Sequence, residues 1–237
     1  MKITYFFTDL GYTGGPLTLY NFMNKLVEFG HDVYVVTPYE HFQWEKDTYL
    51  EYIGKRPKVK IAVRMLRRKL VNALVSQKTL TEVAVITDEL IGKYKEMNID
   101  SDILVATYPY TVDVVMKLGK NKKIVMHNQH YEEHMFQDYA DISQIRILNH
   151  YPVNHIVNCS WLYKMFKSNY GFDPIVITPG IDTEIFSEAK DGTEKYSNIE
   201  KLKIISYCDP QRSFKGYDQQ MQIFKKLYEM NGDAIEI

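Results

Sequence analysis

Two adjacent glycines, Gly14 and Gly15, stand in the segment TDLGYTGGPLTLYNF (residues 8–22), between an apolar run and an amphipathic run. In open α/β sheets, a glycine-bearing turn of this kind leads from the first strand into the first helix. Its free backbone N–H groups and the positive end of the helix bind anionic groups, and glycine lets a ligand approach closely. The alternative is that the two glycines only form a tight turn.

The glycine spacing argues against one familiar ligand of such folds. Gly11, Gly14 and Gly15 do not fit the G-x-G-x-x-G pattern of dinucleotide-binding folds, so we do not predict an NAD site.

A histidine-rich segment, HNQHYEEH (residues 127–134), could ligate zinc. His130 and His134 would share one face of a helix, with two glutamates between them. The segment lacks H-E-x-x-H, however, and we predict no metal site there. The D-x-D-like segment DSD (residues 100–102) precedes an apolar run, which is the wrong end of a parallel strand for chemistry.

The elements that would position these residues are short apolar runs alternating with longer amphipathic stretches, a pattern typical of βαβ units and a parallel sheet covered on both faces. The predicted strands are Ile3 to Phe7, Val33 to Thr37, Val59 to Val63, Ile103 to Thr107, Lys123 to Met126, His155 to Cys159 and Ile175 to Thr178.

Prolines and glycines mark the predicted helix ends. One helix starts at Pro16 and stops at Gly30, and another runs from Pro109 to Gly119. A third has Ser160 as its N-cap and Gly171 as its C-cap, while Leu70 to Met97 forms one or two further helices.

The composition is that of a folded protein, with 45% apolar and 25% charged residues and a net charge of −1. The balanced charge argues against a general attraction to nucleic acid, and the two cysteines lie in apolar runs that fit a reducing compartment. No signal peptide or membrane-spanning run is recognisable, so we expect a cytoplasmic protein, peripheral to a membrane at most.

The pattern changes after VITPGIDTEIF. We predict a first domain over residues 1–186, a polar linker over 187–201 and the beginning of a second domain over 202–237. That second part would hold one strand (KIISYCD), a helix from about Tyr217 to Met230 and the start of another strand.

Four segments, in this order, resemble the retaining GT-B glycosyltransferases of the large family-four group: GGPLTLYNFMNKLVEFGHDVYVVTP (14–38), IVMHNQH (124–130), VITPGIDTEIF (176–186) and YCDPQRSFKGYDQQMQIFKKL (207–227). The resemblance implies two Rossmann-like domains, with the second one incomplete in this sequence. It also implies transfer of a sugar, with retention, from a nucleotide diphosphate donor to a carbohydrate or lipid-linked acceptor in cell-surface glycan or glycolipid synthesis.

The resemblance also assigns roles to residues. Gly14 and Gly15 would lie against the donor diphosphate, and His127 would contact the donor sugar. Lys215, with Arg212 as the nearest arginine to the family position, would neutralise the leaving diphosphate without an essential metal or cofactor. The alternative for His127 is a structural histidine whose hydrogen bonds are satisfied at the end of a strand. The alternative for Arg212 is an arginine in a solvated loop.

One family feature is absent from the sequence: a pair of glutamates seven residues apart that binds donor sugar and ribose would fall beyond Ile237. We therefore expect the chain alone to lack most of the donor site. The alternatives are a nucleotide-sugar epimerase of the same fold and a non-catalytic acceptor-binding subunit.

Residues 55–78 contain nine basic and no acidic side chains. On a helix, Arg64, Arg67 and Arg68 would cluster opposite apolar residues, which predicts either contact with an anionic membrane surface or a solvated face over a core stripe.

Overall fold

The computed structural model describes residues 1–7, 14–39, 60–66, 91–92, 94–96, 100–135, 139–181, 183, 201–210 and 215–236. The chain divides into two compact units, Met1–Pro179 and Gly180–Ile237. Most of the predicted linker lies outside the described residues.

Seven parallel strands form one sheet in the described part of the first unit, in the order β3-β2-β1-β4-β5-β6-β7. They are β1 (Lys2–Phe6), β2 (Asp32–Tyr39), β3 (Lys60–Leu66), β4 (Ile103–Ala106), β5 (Lys123–Asn128), β6 (Asn154–Val157) and β7 (Ile175–Val176). The predicted Rossmann-like parallel sheet is confirmed.

Helices connect the strands: α1 (Gly14–Glu28), α2 (Pro109–Leu118), α3 (Tyr139–Asn149) and α4 (Ser160–Tyr170), with a 3-10 turn over Glu132–Met135. Gly171 ends α4 at φ +73°, as predicted, because glycine adopts this left-handed conformation readily. Two predicted starts are wrong. Helix α1 begins before Pro16, at Gly14, and the N-cap of α4 is Cys159, so Ser160 already lies in the helix.

Successive side chains of a strand point to opposite faces of the sheet, and in this sheet both faces are buried. In β1, Tyr5 packs with Leu19 and Met23 of α1, whereas Phe6 belongs to a separate cluster with Val115 of α2. Helices therefore cover both faces, as a doubly wound fold requires.

The strand order reverses between β1 and β4, which are neighbours although β2 and β3 intervene in sequence. In doubly wound sheets, ligands bind outside the carboxyl ends of the strands at this switch point. Helix α1 begins at that edge because it follows β1, so the fold places Gly14 and Gly15 there.

The predicted helix carrying Arg64, Arg67 and Arg68 is wrong at Arg64, which lies in strand β3. The register pairs Arg64 with Thr37 of β2, and the hydrogen bonds of a parallel neighbour outweigh a short helical spacing of arginines. Arg67 and Arg68 lie outside the described residues. Within the described part of the chain, no helix is long and apolar enough to cross a membrane.

The second unit contains β8 (Leu202–Lys203) parallel to β9 (Ile235–Glu236), joined through α5 (Tyr217–Asn231) and a 3-10 turn over Gly232–Ala234. The predicted strand KIISYCD (203–209) is wrong beyond its start: β8 begins at Leu202, and only Lys203 of the predicted strand belongs to it. The described part of this unit is thus a single βαβ arrangement, the unit from which Rossmann-like domains are built.

Candidate functional site

The start of α1 lies beside the segment that follows β5. A side-chain carbon placed at Gly15 would come 4.0 Å from both Gln129 Cβ and His130 Nε2, and one placed at Gly14 would meet nothing within 4 Å. Neither glycine has a positive φ among the described residues, so the backbone itself does not demand glycine here. The first-turn N–H groups of an α-helix lack partners within the helix, which makes this end suited to an anion.

His127 lies near the carboxyl end of β5, on the sheet face that α1 covers. Its side chain is only 1% exposed, and Phe22 of α1 meets the ring edge-on with 5.0 Å between ring centroids. Burial lowers the pKa of His127 to about 4, so the imidazole is neutral at physiological pH. Among the described residues, neither ring nitrogen has a hydrogen-bond partner.

The next two residues also carry buried polar atoms without partners in the described structure. Asn128 uses its Nδ2 to donate to the carbonyls of Met126 (3.2 Å) and Ile156 (3.1 Å), yet its Oδ1 has no partner. Gln129 likewise has an unpartnered Nε2. Buried polar groups are normally satisfied, so these exceptions mark the end of β5 as a candidate ligand site, although Asn128 points to the face opposite His127.

Glu132, in the 3-10 turn, is a buried carboxyl group. It is 2% exposed, and its Oε2 has no partner in the described part of the chain. Burial raises the pKa of Glu132 to about 8, because the charged form loses its water. At neutral pH this side chain is therefore mostly protonated and can donate a proton.

The adjacent Glu133 has the opposite electrostatic character. Burial by itself would raise its pKa, but hydrogen bonds from Tyr170, Arg146 and Tyr131 hold the pKa of Glu133 below its usual value. Arg146 Nε donates to Glu133 Oε2 at 2.7 Å, and the Tyr131 hydroxyl donates to Glu133 Oε1 at 3.0 Å. Glu133 thus holds the turn in place through its hydrogen bonds, whereas Oε2 of Glu132 has no hydrogen-bond partner among the described residues.

Hydrogen bonds join the strand ends at this edge of the sheet. Asn158, directly after β6, donates from Nδ2 to the Gln129 carbonyl at 2.8 Å. Thr107, directly after β4, donates from its hydroxyl to the Phe6 carbonyl at 2.7 Å. The ends of β1, β4, β5 and β6 are thus fixed relative to one another, as a binding site on rigid elements requires.

In the second unit, Lys215 precedes Gly216, which caps α5 at φ +74°. Gln220 donates from Nε2 to the Lys215 carbonyl at 2.8 Å and accepts a hydrogen bond from Ser206 at 2.6 Å. The turn that carries Lys215 is therefore held by local contacts. Arg212 lies outside the described residues, so its predicted role stays a prediction.

Two segments were considered as metal sites in the sequence, HNQHYEEH (127–134) and DSD (100–102), and the structure describes both. Within the described residues, no group of three or more histidine, cysteine, aspartate or glutamate side chains is arranged to hold a metal ion. In DSD, Asp100 forms an ion pair with Lys122 at 2.8 Å, and Asp102 Oδ2 accepts from the Lys2 backbone N–H at 2.8 Å. Both aspartates lie at the amino edge of the sheet, opposite His127.

No protein-family model matches the chain, and no curated protein sequence matches it. Solved structures share its fold. HepE from Anabaena, in complex with UDP and glucose, has a TM-score of 0.53 and 14% identity over 89% of this chain and 54% of its own. A glycosyltransferase from Rickettsia africae has a TM-score of 0.57 and 11% identity over 100% of this chain and 67% of its own.

A proposed UDP-N-acetylglucosamine 2-epimerase from Listeria monocytogenes has a TM-score of 0.54 and 12% identity over 99% of this chain and 61% of its own. This chain thus spans about half to two thirds of the length of these three proteins. The likeness shows a GT-B-type Rossmann-like fold that glycosyltransferases use.

Sequence reasoning placed Gly14, Gly15 and His127 at one sheet edge, and in the structure Gly15 lies beside Gln129 and His130 there, while His127 packs against Phe22. It missed Asn128, Gln129 and Glu132, although they adjoin His127 in sequence. Their polarity directly after a buried strand was the available signal.

Proposed function

We propose that the chain is part of a glycosyltransferase that transfers a sugar from a nucleoside diphosphate to an acceptor hydroxyl with retention. The observation that carries this proposal is the buried, neutral His127 with two unpartnered nitrogens, packed against Phe22 of α1 on a GT-B-type sheet. A neutral imidazole has one donor and one acceptor, which suits a sugar hydroxyl. The acceptor would be a carbohydrate or lipid-linked molecule in cell-surface glycan or glycolipid synthesis.

The first helix would serve the diphosphate in this proposal. The backbone N–H groups at Gly14 and Gly15 would donate to phosphate oxygens, and the absence of side chains leaves the approach open. Because His127 is almost completely buried, a sugar hydroxyl reaches it only after a local movement opens the ring to the ligand.

The reaction breaks the bond between the sugar's anomeric carbon and the diphosphate oxygen and forms a bond from the acceptor oxygen to that carbon. The acceptor proton passes to the departing diphosphate on the same face. Lys215 and Arg212 would neutralise the charge that develops on the diphosphate, so the proposal needs no metal ion. Arg64, Arg67 and Arg68 are left out of it, because β3 removes the helical face that grouped them.

The proposal can be tested on the 237-residue chain by following its histidine side chains in NMR spectra, with the His127 signals identified from their loss in a His127→Leu variant. Because the chain alone is expected to lack most of the donor site, the ligands are added to concentrations on the order of 10 mM. We expect UDP-glucose, GDP-mannose or dTDP-glucose to shift the His127 signals, and the matching free nucleotide to shift them much less. A spectrum in which none of the three sugars moves His127 would refute the assignment.

An enzymatic measurement completes this test. The full-length protein is incubated with the same three donors and with maltose or cellobiose as acceptor, and release of the nucleoside diphosphate is followed with and without EDTA. We expect release from one donor, unchanged by EDTA. Release that EDTA abolishes would contradict the metal-free mechanism.

A nucleotide-sugar epimerase is the second candidate, favoured by the protonated Glu132, since epimerisation needs an acid and a base. The similar fold of the proposed epimerase from Listeria supports this candidate. Conversion of UDP-N-acetylglucosamine to its epimer without any acceptor, followed by proton NMR, would favour this candidate over transfer.

A further inference from the structure

An exposed aromatic surface lies beside the candidate donor site. Trp161, in the first turn of α4, is 51% exposed, although tryptophan is usually well covered in folded proteins. Its ring packs edge-on against Tyr131, with 6.4 Å between centroids, and lies 6.1 Å from the exposed His134 ring.

The core of α4 does not need this tryptophan. The buried residues of the helix are Leu162, Phe166 and Tyr170, which recur at helical spacing and pack under Tyr131. Trp161 stands outside this stripe and contributes only one edge to it. The large indole ring at this position is therefore not explained by helix packing.

The support beneath Trp161 is rigid. The Tyr131 hydroxyl donates to Glu133 at 3.0 Å and accepts from Asn169 Nδ2 at 2.9 Å. His134 meets the same tyrosine ring edge-on at 4.8 Å. A buried, doubly hydrogen-bonded tyrosine thus holds two aromatic rings in place while both stay exposed.

This aromatic surface belongs to the same sheet edge as His127. Trp161 follows the end of β6 and Tyr131 follows the end of β5. The hydrogen bond from Asn158 to the Gln129 carbonyl joins these two strand ends, and Gln129 in turn adjoins Gly15. A molecule on Trp161 would therefore lie at the carboxyl edge of the sheet, on the face that α4 covers, whereas His127 at the same edge faces α1.

We propose that Trp161, together with His134, forms a stacking platform for a pyranose ring of a carbohydrate acceptor. This inference rests on the proposed function and narrows its acceptor to a glycan. The C–H bonds on one face of a pyranose carry a small positive charge and stack on the negative face of an indole, while the ring hydroxyls stay in water. The imidazole of His134 can then hydrogen-bond one of those hydroxyls.

Saturation-transfer NMR on the 237-residue chain tests the platform, with maltose, cellobiose, lactose and N,N′-diacetylchitobiose as the probes. We expect at least one disaccharide to bind with a dissociation constant on the order of millimolar, with the strongest transfer to its C–H protons. Trp161→Leu should weaken that binding at least tenfold, and Trp161→Phe should weaken it less because a ring face remains.

Phe29→Leu is the matched control. Phe29 is 74% exposed and follows α1 at the opposite edge of the sheet, so its replacement should leave sugar binding unchanged. If none of the four sugars binds the parent protein, or if Trp161→Leu binds as the parent does, the platform is refuted.

The same variants separate this inference from the proposed function. In Trp161→Leu, the shift of the His127 signals on adding the donor sugar should persist. Disaccharide binding without any response of His127 in the parent protein would refute the donor assignment and leave the platform standing. If Trp161→Leu loses both disaccharide binding and the donor-induced shift of the His127 signals, Trp161 has a structural role and the platform is overturned.

Discussion

Replacing His127 by leucine should increase stability while removing donor-sugar recognition. A buried polar group without a partner costs roughly 1–3 kcal/mol. Leucine has a similar size, lacks the polar nitrogens and can pack against Phe22. We therefore expect the free energy of unfolding to rise by about 1 kcal/mol, which corresponds to about 2–4 °C in Tm for a chain of this length.

The pH dependence gives a second measure of the same substitution. The unfolded histidine takes up a proton near pH 6.5, whereas folded His127 does so only at about pH 4. Between these values protons bind more to the unfolded chain, so this histidine makes the parent protein lose stability as the pH falls. From pH 7 to pH 5 the loss from His127 is about 2 kcal/mol, since one pKa unit equals about 1.4 kcal/mol. His127→Leu removes that contribution.

The assay is chemical unfolding of parent and variant at pH 7 and pH 5, followed by circular dichroism, with donor binding measured at pH 7. His155→Leu is the control. His155 is also buried with its pKa lowered to about 4, but one ring nitrogen contacts Asn128 at 3.2 Å and the ring stacks on Phe172. It should share the pH effect and keep donor binding.

The reasoning is refuted if His127→Leu is less stable than the parent by about 1 kcal/mol or more at pH 7 and still binds the donor sugar. That result would assign His127 to the core, with its nitrogens satisfied in solution.

Two other substitutions test neighbouring parts of the site. Gly15→Ala should raise helix stability by up to about 1 kcal/mol, because nothing nearer than 4.0 Å obstructs the methyl group, and should weaken UDP-glucose binding in calorimetry. Gly92→Ala, at another unobstructed helical glycine, should leave that binding unchanged, and equal binding by both variants would argue against a diphosphate at Gly15. Glu132→Gln should stabilise the protein more at pH 8 than at pH 5, by about 3 kcal/mol in denaturant titrations. The reason is that the unfolded Glu132 ionises above pH 4.5, whereas burial raises the pKa of the folded carboxyl group to about 8. A pH-independent effect would mean that Glu132 is ionised in the folded state.

The fold followed from the sequence because burial on both sheet faces leaves a strong pattern. Short β-branched and aromatic runs predicted the strands, and the alternation of Tyr5 and Phe6 between two cores is what a doubly wound sheet requires. Gly171 marked a helix end correctly because its left-handed conformation is a local property of the residue. Such local and repetitive features are legible without the structure.

Features that depend on neighbours across the sheet were harder to predict. Arg64 belongs to a strand because β2 supplies a hydrogen-bonding partner, while its sequence spacing to the next arginines equally fits a helix. At Pro16, the preference of proline for the first helical position was overridden, since α1 begins with the two glycines. At Arg64, pairing between strands outweighed the local helical pattern. At Pro16, the helix begins two residues before the proline.

The same limit applies to the site. The sequence placed His127 at a strand end near a glycine turn, but whether its nitrogens find partners depends on Phe22 and on the covering helix, which no spacing rule encodes. The sequence predicts Trp161 only as part of a helix. Whether its ring is exposed depends on its contact with Tyr131, which the sequence pattern does not encode.

The distribution of unsatisfied atoms gives the strongest reason to regard this edge as functional. Of the seven buried side-chain atoms without partners in the described part of the chain, five belong to His127, Asn128, Gln129 and Glu132. Each such atom costs stability, and random imperfections of packing would be scattered over the core rather than gathered in one short segment. Strand β5 carries both kinds of residue: Val125 and Met126 pack in the cores, and polar groups begin at the next position. The change from packed to unsatisfied side chains thus coincides with the carboxyl end of the strand, where this fold binds its ligands. A ligand that supplies hydrogen bonds there would recover the lost stability on binding, which is why the same residues are expected to be costly in the free protein and useful in the complex.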